Sequence, residues 1–275
     1  MDMWNDKSHP TAMLDLKTFD AVLLDLDGTI WHEDVPLPGA VELVTAIAKR
    51  GQTFGFVSNS GSSPARVIER LAAMGIVAGE QQVLTAAGAA CDFVLEQVGE
   101  GSRVFNVANE SVHELLSGKV KWVESEDEPC DAVMSAGIAN PRFITTARLQ
   151  TALRLLMRGS KLIGLCNDRA YPTPRGFEIG AGAVTAMLAY AANVLPTFCG
   201  KPEAWFFLDL CKHLNVDPRK CVLIGDNLEA DVAGAKRVGM KAVLTLTGLA
   251  TRITADAAPT DQRADRLVTD LRELV

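Results

Sequence analysis

One short segment, residues 23–30, constrains the fold of this chain more than any other part of the sequence. It reads Leu-Leu-Asp-Leu-Asp-Gly-Thr-Ile, so that an apolar run carries Asp25 and Asp27 into a turn at Gly28. Such a run is typical of a strand that is covered on both faces, as in a parallel sheet. Because side chains alternate along a strand, we expect the two aspartates to project to the same side.

The close spacing of these two carboxylates predicts a reactive site. Like charges at this spacing repel each other unless one is protonated or a cation lies between them. The segment therefore indicates either a bound metal or a proton donor. The alternatives are a turn in which Asp and Gly only satisfy backbone groups, and a calcium loop, although residues 30–34 lack its alternating oxygen ligands.

The composition bounds the class of protein. The chain has 275 residues, of which 48% are hydrophobic and 22% charged, as in an ordinary globular protein. This length suits two domains of moderate size, or one domain with a large insertion. The net charge of −7 argues against nucleic acid as a partner, because binding to a phosphate backbone needs a clustered basic surface.

Several features predict a cytoplasmic location. The six cysteines are scattered and lack zinc-ligand spacing, so we expect reduced thiols, with a secreted disulfide framework as the alternative. Asp2 and Asp6 stand where an export signal would carry positive charge. The longest apolar stretch, residues 181–195, is shorter than a membrane span. We therefore expect no membrane partner.

Strand and helix patterns alternate along the chain and predict an α/β fold with parallel sheets. The first part predicts helices over 37–50 and 63–74 and strands over 53–57 and 82–85, with Ser63 as the N-cap of the second helix. Fresh strands, predicted over 103–107, 120–123, 131–135 and 161–165, make the middle of the chain look like its own α/β unit. After Pro196, strands over 222–224 and 241–246 again run into polar loops.

Four polar clusters follow strands or lie in turns, at the edge where open parallel sheets bind ligands. They are Asp25 with Asp27, Ser58 with Asn59, Lys201 between Gly200 and Pro202, and Asp226 and Asn227 with Asp231. In order and spacing they resemble the four signature motifs of the haloacid dehalogenase-like phosphohydrolases, over nearly the whole chain. The central unit resembles the large α/β cap of the class IIA branch, which includes nucleotide, sugar-phosphate, pyridoxal-phosphate and nitrophenyl phosphatases.

The resemblance implies a Rossmann-like, doubly wound parallel-sheet core and an inserted α/β cap domain. The core would comprise residues 1–85 and 197–275, and the cap residues 86–196. The branch commonly reads Asn-Pro-Asp where this chain has Cys166, Asn167 and Asp168. That departure lies in a cap loop, so it concerns the substrate rather than the reaction.

The resemblance also implies a Mg²⁺-dependent phosphatase that acts on a small phosphorylated metabolite. Asp25 would be the nucleophile that forms an aspartyl-phosphate. Asp27 would protonate the leaving oxygen and later activate water, which requires a raised pKa. Asp25, Asp226 and the backbone carbonyl of Asp27 would hold Mg²⁺, which prefers oxygen ligands.

The remaining candidates would bind the phosphoryl group or support the site. Ser58 and the backbone N–H groups that follow it would bind phosphoryl oxygens, and Lys201 would neutralise charge in the transition state. Asp231 would orient the lysine or the metal, or only place a charge near a helix N-terminus. The other predicted contacts are Asn59, Ser60, Gly61 and Asp168 for the substrate, Asn227 as support, Asn167 and Arg169 in the cap, and Trp31 and His32 at the rim.

Two alternatives to a phosphatase stay open at this point. A phosphomutase would also need Asp27, although the large cap resembles that of the phosphatase branch. A non-catalytic sensor would keep the phosphate pocket and use the cap as an interaction surface. The oligomeric state, with a homodimer as one option, does not follow from the sequence.

Overall fold

The computed structural model describes residues 14–173 and 175–275, so Asp2 and Asp6 lie outside the described residues. The strands are β1 Ala21–Asp25, β2 Trp31–His32, β3 Val35–Pro36, β4 Thr53–Ser58, β5 Val83–Thr85, β6 Arg103–Val107, β7 Lys121–Trp122, β8 Ala132–Ser135, β9 Lys161–Gly164, β10 Ala170–Thr173, β11 Gly176–Ile179, β12 Thr197–Phe198, β13 Cys221–Gly225, β14 Lys241–Thr245 and β15 Arg266–Val268. The helices are α1 Ala40–Lys49, α2 Pro64–Ala73, α3 Ala86–Gln97, α4 Glu110–Leu115, α5 Thr146–Met157, α6 Ala181–Ala192, α7 Ala204–Leu214, α8 Gly234–Arg237 and α9 Arg252–Asp256, with a π-helical segment over Leu228–Ala233.

The first sheet has six strands in the order β15-β14-β13-β1-β4-β5. Each neighbouring pair in it is parallel. The chain fills one side of β1 first, with β4 and β5, and later returns to fill the other side with β13, β14 and β15. Strand order therefore reverses next to β1, which is the place where doubly wound sheets bind their ligands. This topology confirms the predicted Rossmann-like parallel sheet.

The central strand β1 is the buried strand that the aliphatic run predicts. All five of its residues are buried, and its last residue is Asp25. Its two faces belong to two hydrophobic clusters, since Leu23 lies in one, while Val22 and Leu24 lie in the other. Burial on both faces explains why the strand reads as a continuous apolar run rather than an alternating one.

The second sheet lies in the middle of the chain and has the order β12-β9-β8-β6-β7. Its neighbouring strands are parallel, as the strand pattern predicts. Its edge strand β12, Thr197–Phe198, pairs with β9, so this sheet extends two residues past the expected boundary between 196 and 197. A two-residue strand carries no hydrophobic period from which the boundary could be read.

Short turns give the largest differences from the sequence-based expectation. Residues 31–36 form a hairpin of β2 and β3, and this hairpin buries Trp31, which we expected at the rim. A second hairpin pairs β10 with β11, and the strand pattern of the sequence does not predict it. Ser63 caps α2 as expected, with Pro64 as the first helical residue. In the described ranges, no helix is long and apolar enough to cross a membrane.

One hydrophobic cluster joins the two sheets. It contains residues of the first sheet, such as Leu23 and Leu223, and residues of the second sheet, such as Met134 and Ile163. Helix α3 packs against β5 of the first sheet and against α4, and it contributes a run of small buried side chains from Ala86 to Val94. The part of the chain that carries all of the second sheet but β12, residues 86–196, is called the inserted unit below. Its apolar interior is therefore continuous with that of the first sheet, which is the main sheet of the molecule.

Candidate active site

Asp25 lies at the centre of the candidate site, at the carboxyl end of β1. Its carboxylate accepts a hydrogen bond from Lys201 Nζ on Oδ1 and one from Thr29 Oγ1 on Oδ2, the latter at 3.2 Å. Burial raises the pKa of Asp25 well above its usual value, and the charge of Lys201 only partly opposes this effect. A carboxylate that is nearly sealed from water depends on nearby positive charge to stay ionised.

Lys201 supplies that positive charge. Its side chain is 4% exposed, and its Nζ also donates to Asp231 Oδ1 at 2.7 Å. Burial alone would lower the pKa of Lys201, but the charges of Asp231 and Asp25 outweigh burial and leave that pKa raised. The lysine is therefore a fixed ammonium group beside the predicted nucleophile.

Asp226 follows β13 directly and faces the same site. Its Oδ2 accepts the backbone N–H of Leu249 at 2.6 Å. Burial, together with the charge of Asp231, raises the pKa of Asp226 to about 6. One carboxylate oxygen from each of Asp25, Asp226 and Asp231 lies within 4.8 Å of the others. Three buried carboxylates around one lysine leave an excess of negative charge, which fits a site for a divalent cation.

Asp231 lies on the π-helical segment Leu228–Ala233 and is 1% exposed. Its Oδ1 accepts from Lys201, and its Oδ2 accepts the backbone N–H of Asn227 at 3.0 Å. Asn227 in turn caps the segment, because its side chain accepts the N–H groups of Glu229 and Ala230. Of the two roles considered for Asp231, contact with the lysine is the one that these bonds support.

Two glycines keep space for the Asp226 carboxylate, and the sequence did not single them out as site residues. A Cβ atom at Gly248 would overlap the carboxylate of Asp226. A Cβ atom at Gly28 would meet the same carboxylate, and Gly28 also has a left-handed φ of 83°. Thr247 Oγ1 donates to the carbonyl of Gly28 at 2.6 Å and joins the two loops. The pattern of a strand followed by a polar loop, which identified the other clusters, also occurs at residues 241–248. This pattern could have identified Gly248 as a site residue.

Asp27 differs from Asp25 in its surroundings. Strand β1 ends at Asp25, so strand alternation does not fix the direction of Asp27. The residue is exposed, whereas Asp25 is buried. Its Oδ1 accepts a hydrogen bond from Trp31 Nε1 at 2.8 Å. Asp27 thus presents a carboxylate to solvent two residues beyond the buried Asp25.

The predicted phosphate-binding loop follows β4. Ser58 is the last residue of that strand and is buried. Its Oγ accepts the backbone N–H of Ser60 at 3.1 Å. The carbonyl of Gly61 accepts a hydrogen bond from Asn109 Nδ2 of the inserted unit at 2.8 Å. The loop that follows β4 is therefore in direct contact with the inserted unit at Gly61.

Asn59 connects three parts of the site. Its Oδ1 accepts the backbone N–H of Lys201 at 2.8 Å, and its Nδ2 donates to the carbonyl of Lys201 at 3.1 Å. The same Nδ2 donates to both carboxylate oxygens of Asp168, at 3.1 and 3.2 Å. Burial raises the pKa of Asp168, and hydrogen bonds from Cys166 and Asn59 oppose that shift. Asp168 thus meets the core at Asn59, while Asn167, Arg169 and His32 are exposed.

Comparison with known proteins agrees with this geometry. A family model described as haloacid dehalogenase-like hydrolase matches residues 22–119, and a second, described as HAD-hydrolase-like, matches residues 198–274. The chain is a haloacid dehalogenase-like hydrolase. Both family models cover strands that carry the predicted motifs, and the unmatched residues between them, 120–197, fall within the inserted unit except for the last one.

Relatives of this hydrolase are named as phosphatases. The 5′-nucleotidase YutF of Bacillus subtilis is 29% identical over 238 residues, which are 86% of this chain and 91% of the relative. The structure of the p-nitrophenyl phosphatase from Archaeoglobus fulgidus has a TM-score of 0.85 and 27% identity, and the match covers 93% of this chain and 98% of that one. The glycerol phosphate phosphatase from Mycobacterium tuberculosis, solved in complex with magnesium, has a TM-score of 0.83 and 26% identity, with 94% and 77% covered.

These similarities confirm three of the predictions. The chain belongs to the class IIA branch of haloacid dehalogenase-like hydrolases. Its fold is the predicted Rossmann-like α/β fold. It is a phosphoric monoester hydrolase.

Proposed function

We propose that this phosphatase hydrolyses a small phosphorylated metabolite through an aspartyl-phosphate on Asp25, with the help of Mg²⁺. The observation that carries the proposal is the buried cluster in which Lys201 lies between Asp25 and Asp231, with the carboxylate of Asp226 beside them. The names of the relatives support the substrate class, since they describe nucleotide, nitrophenyl phosphate and glycerol phosphate as the compounds on which those proteins act.

In the first step, an oxygen of Asp25 attacks the phosphorus atom while the bond from phosphorus to the alcohol oxygen breaks. The electron pair of that bond goes to the alcohol oxygen, which takes a proton from Asp27. Lys201, held beside Asp25, lowers the energy of the negative charge that develops on the phosphoryl oxygens. Ser58 and the N–H groups of Asn59 and Ser60 orient the phosphoryl group.

In the second step, water attacks the aspartyl-phosphate. The carboxylate of Asp27 accepts a proton from the water, and the bond between Asp25 and phosphorus breaks. Asp27 thereby regains the proton that it gave up in the first step. The catalytic cycle needs an Asp27 side chain that reaches the leaving oxygen, and its exposure to solvent two residues beyond the buried Asp25 supports that role.

The donor set of the site fits a divalent cation. Asp25 and Asp226 would hold Mg²⁺ together with the backbone carbonyl of Asp27, since carboxylate and carbonyl oxygens are the ligands that this ion prefers, while Asp231 would orient Lys201. When bound, the ion supplies charge neutralisation among the carboxylates and the phosphate. We further propose that residues 86–196 act as a cap whose Asp168 borders the substrate. A cytoplasmic location and a homodimer stay predictions.

Phosphate release from a panel of sugar phosphates, nucleotides, pyridoxal phosphate and 4-nitrophenyl phosphate tests this function, with Mg²⁺ or EDTA. We expect metal-dependent release that Asp25→Asn abolishes and that Asp20→Asn, an exposed aspartate just before β1, leaves unchanged. Acid quenching with labelled substrate should trap a hydroxylamine-labile label on the wild type. Substrate binding without any net release would favour the phosphomutase or sensor alternatives instead.

A further inference from the structure

The exposed carboxylate of Asp27 has a buried partner. Trp31 Nε1 donates to Asp27 Oδ1 at 2.8 Å, although Asp27 itself is exposed. We propose that Trp31 is a positioning residue, whose indole N–H holds Asp27 in the orientation from which it protonates the leaving oxygen. This inference rests on the proposed function, in which Asp27 is the general acid.

Trp31 is held firmly enough to position another side chain. The residue is 1% exposed and packs in the hydrophobic cluster on one face of the main sheet, with Leu26 and Ile30. Its carbonyl accepts the N–H of Gly28 at 2.8 Å, and its own N–H donates to the carbonyl of Leu26 at 3.1 Å. Backbone and side chain of Trp31 therefore both hold the turn that carries Asp27.

One face of the indole is covered by a cation. The Arg70 guanidinium carbon lies 4.2 Å from the centroid of the Trp31 ring. Arg70 Nε in turn lies 3.1 Å from Asp34 Oδ1. A cation over the ring face is attracted by the ring electrons, and by drawing on them it makes the indole N–H a better donor. Helix α2, which carries Arg70, is thus connected through Trp31 to Asp27.

The indole N–H also decides which oxygen of Asp27 carries the proton. An indole nitrogen can only donate, and in a protonated carboxyl group the carbonyl oxygen is a better acceptor than the hydroxyl oxygen, so the indole favours Oδ1 as the carbonyl oxygen. The transferable proton then lies on Oδ2. In the first step it passes from Oδ2 to the leaving oxygen, and in the second step Oδ2 takes it back from water, while Trp31 keeps its own proton throughout.

The test compares two esters that differ in their need for an acid. Glycerol phosphate releases an alkoxide, which must be protonated, whereas 4-nitrophenyl phosphate releases a phenolate that is stable without a proton. Trp31→Phe keeps a packed ring and removes the N–H. We expect it to lower kcat/KM for glycerol phosphate about ten-fold more than for 4-nitrophenyl phosphate. The reason is that a positioned acid accelerates mainly the cleavage of glycerol phosphate, whose leaving oxygen must be protonated. The ratio kcat/KM is used because it reports the steps up to release of the alcohol.

Two further variants keep the test decisive. Trp122→Phe makes the same change in the inserted unit, where Trp122 stacks on His113 at 4.6 Å, and should leave the ratio between the esters unchanged. Arg70→Met leaves the indole in place and removes the cation above it, so it should shift the ratio in the same direction but less. It replaces Trp31→Phe if that variant does not fold.

The outcomes separate the inference from the proposed function. An equal loss for both esters in Trp31→Phe, or no loss for either, would overturn the positioning role while the phosphatase assignment stands. If Trp31→Phe does not fold, an unchanged ratio in Arg70→Met overturns the role. No release of phosphate by the wild type from these two esters or from any compound of the panel would overturn both. Adding Trp31→Phe to Asp27→Asn should leave the ratio as it is in Asp27→Asn alone, because the oriented acid is already gone.

Discussion

The charged side chains at the site depend on one another, because one lysine neutralises more than one carboxylate. Lys201 is the one cation in contact with both Asp25 and Asp231 among the described residues, and all three side chains are at most 6% exposed. A buried ion pair contributes little net stability when complete, but removal of one partner leaves an uncompensated charge. The cluster is therefore more sensitive to substitution than its few hydrogen bonds suggest.

The first prediction concerns this lysine. Lys201→Met should lower the free energy of unfolding of the metal-free protein by about 3–5 kcal/mol at neutral pH, because two buried carboxylates lose their cation. Lys241→Met is the control, since Lys241 pairs with Asp265 at 2.8 Å on the surface and should contribute less than about 1 kcal/mol. Urea denaturation measures both values. Similar small losses in the two variants would mean that the buried carboxylates do not depend on Lys201.

The second prediction concerns the space around Asp226. Gly248→Ala places a Cβ atom on the carboxylate and must displace it, so Mg²⁺ affinity should fall by about 10–100-fold, as for other residues that orient metal ligands. Gly79→Ala is the control, because a Cβ atom there meets nothing closer than 3.6 Å. Titration calorimetry with Mg²⁺ measures the affinity. Unchanged binding in Gly248→Ala would exclude Asp226 as a metal ligand.

The third prediction concerns pH. The pKa of Asp226 in the metal-free protein is raised to about 6, so the carboxyl group gains a proton as the pH falls through that value. A neutral carboxyl group attracts a cation less, and Mg²⁺ affinity should therefore weaken as the pH falls below about 6. Calorimetric titrations on both sides of this pH measure the change. In Asp226→Asn, binding should be weak at every pH and this step should be absent.

At the scale of elements, the sequence predicted the strands and helices that have a long hydrophobic run or a distinct capping residue. Strands β1 and β13 were predicted because both are uninterrupted buried runs, and the start of α2 because Ser63 precedes Pro64. The two-residue strands were partly missed, since two residues show no period. Trp31 was misplaced because its burial depends on how the β2–β3 hairpin folds back, which is a tertiary effect.

The candidate site was predicted to a similar extent. Four strand ends identified the charged residues, and parallel topology brings strand ends to one edge. The sequence could not decide between two roles for Asp231, because its contact with Lys201 depends on the path of the π-helical segment. It also could not show that Gly248 borders Asp226, since that approach joins loops that are far apart in the chain.

A fourth prediction tests an element of the inserted unit. Thr145 caps α5 by accepting the N–H of Arg148 at 3.2 Å, so Thr145→Ala should lower the free energy of unfolding by about 1 kcal/mol. The neighbouring Thr146 is also exposed but is the first residue of the helix, and Thr146→Ala should have almost no effect. Denaturant unfolding curves of the two variants give the comparison. Equal effects would mean that α5 does not depend on its cap.

For the whole molecule, the hydrophobic cluster that joins the two sheets predicts one unfolding event. Since α3 packs into an interior common to both sheets, neither can lose its packing alone. We expect a single calorimetric transition, which Phe93→Ala moves to lower temperature because Phe93 packs edge-on against Trp205 at 5.6 Å. Phe177→Ala should not move it, because Phe177 is 75% exposed. Two separate transitions would show that the sheets are independent.

The same continuous interior limits how such a protein can be re-engineered. The inserted unit is not a module that can be cut out or exchanged whole, because its buried Met134 and Ile163 belong to the same hydrophobic cluster as Leu223 of the first sheet, and excision would expose apolar surface. A shortened chain would be expected to aggregate rather than to keep its chemistry with a new preference. Changes of substrate should instead be sought by replacing exposed side chains such as Asn167 and Arg169, which leave the common interior intact.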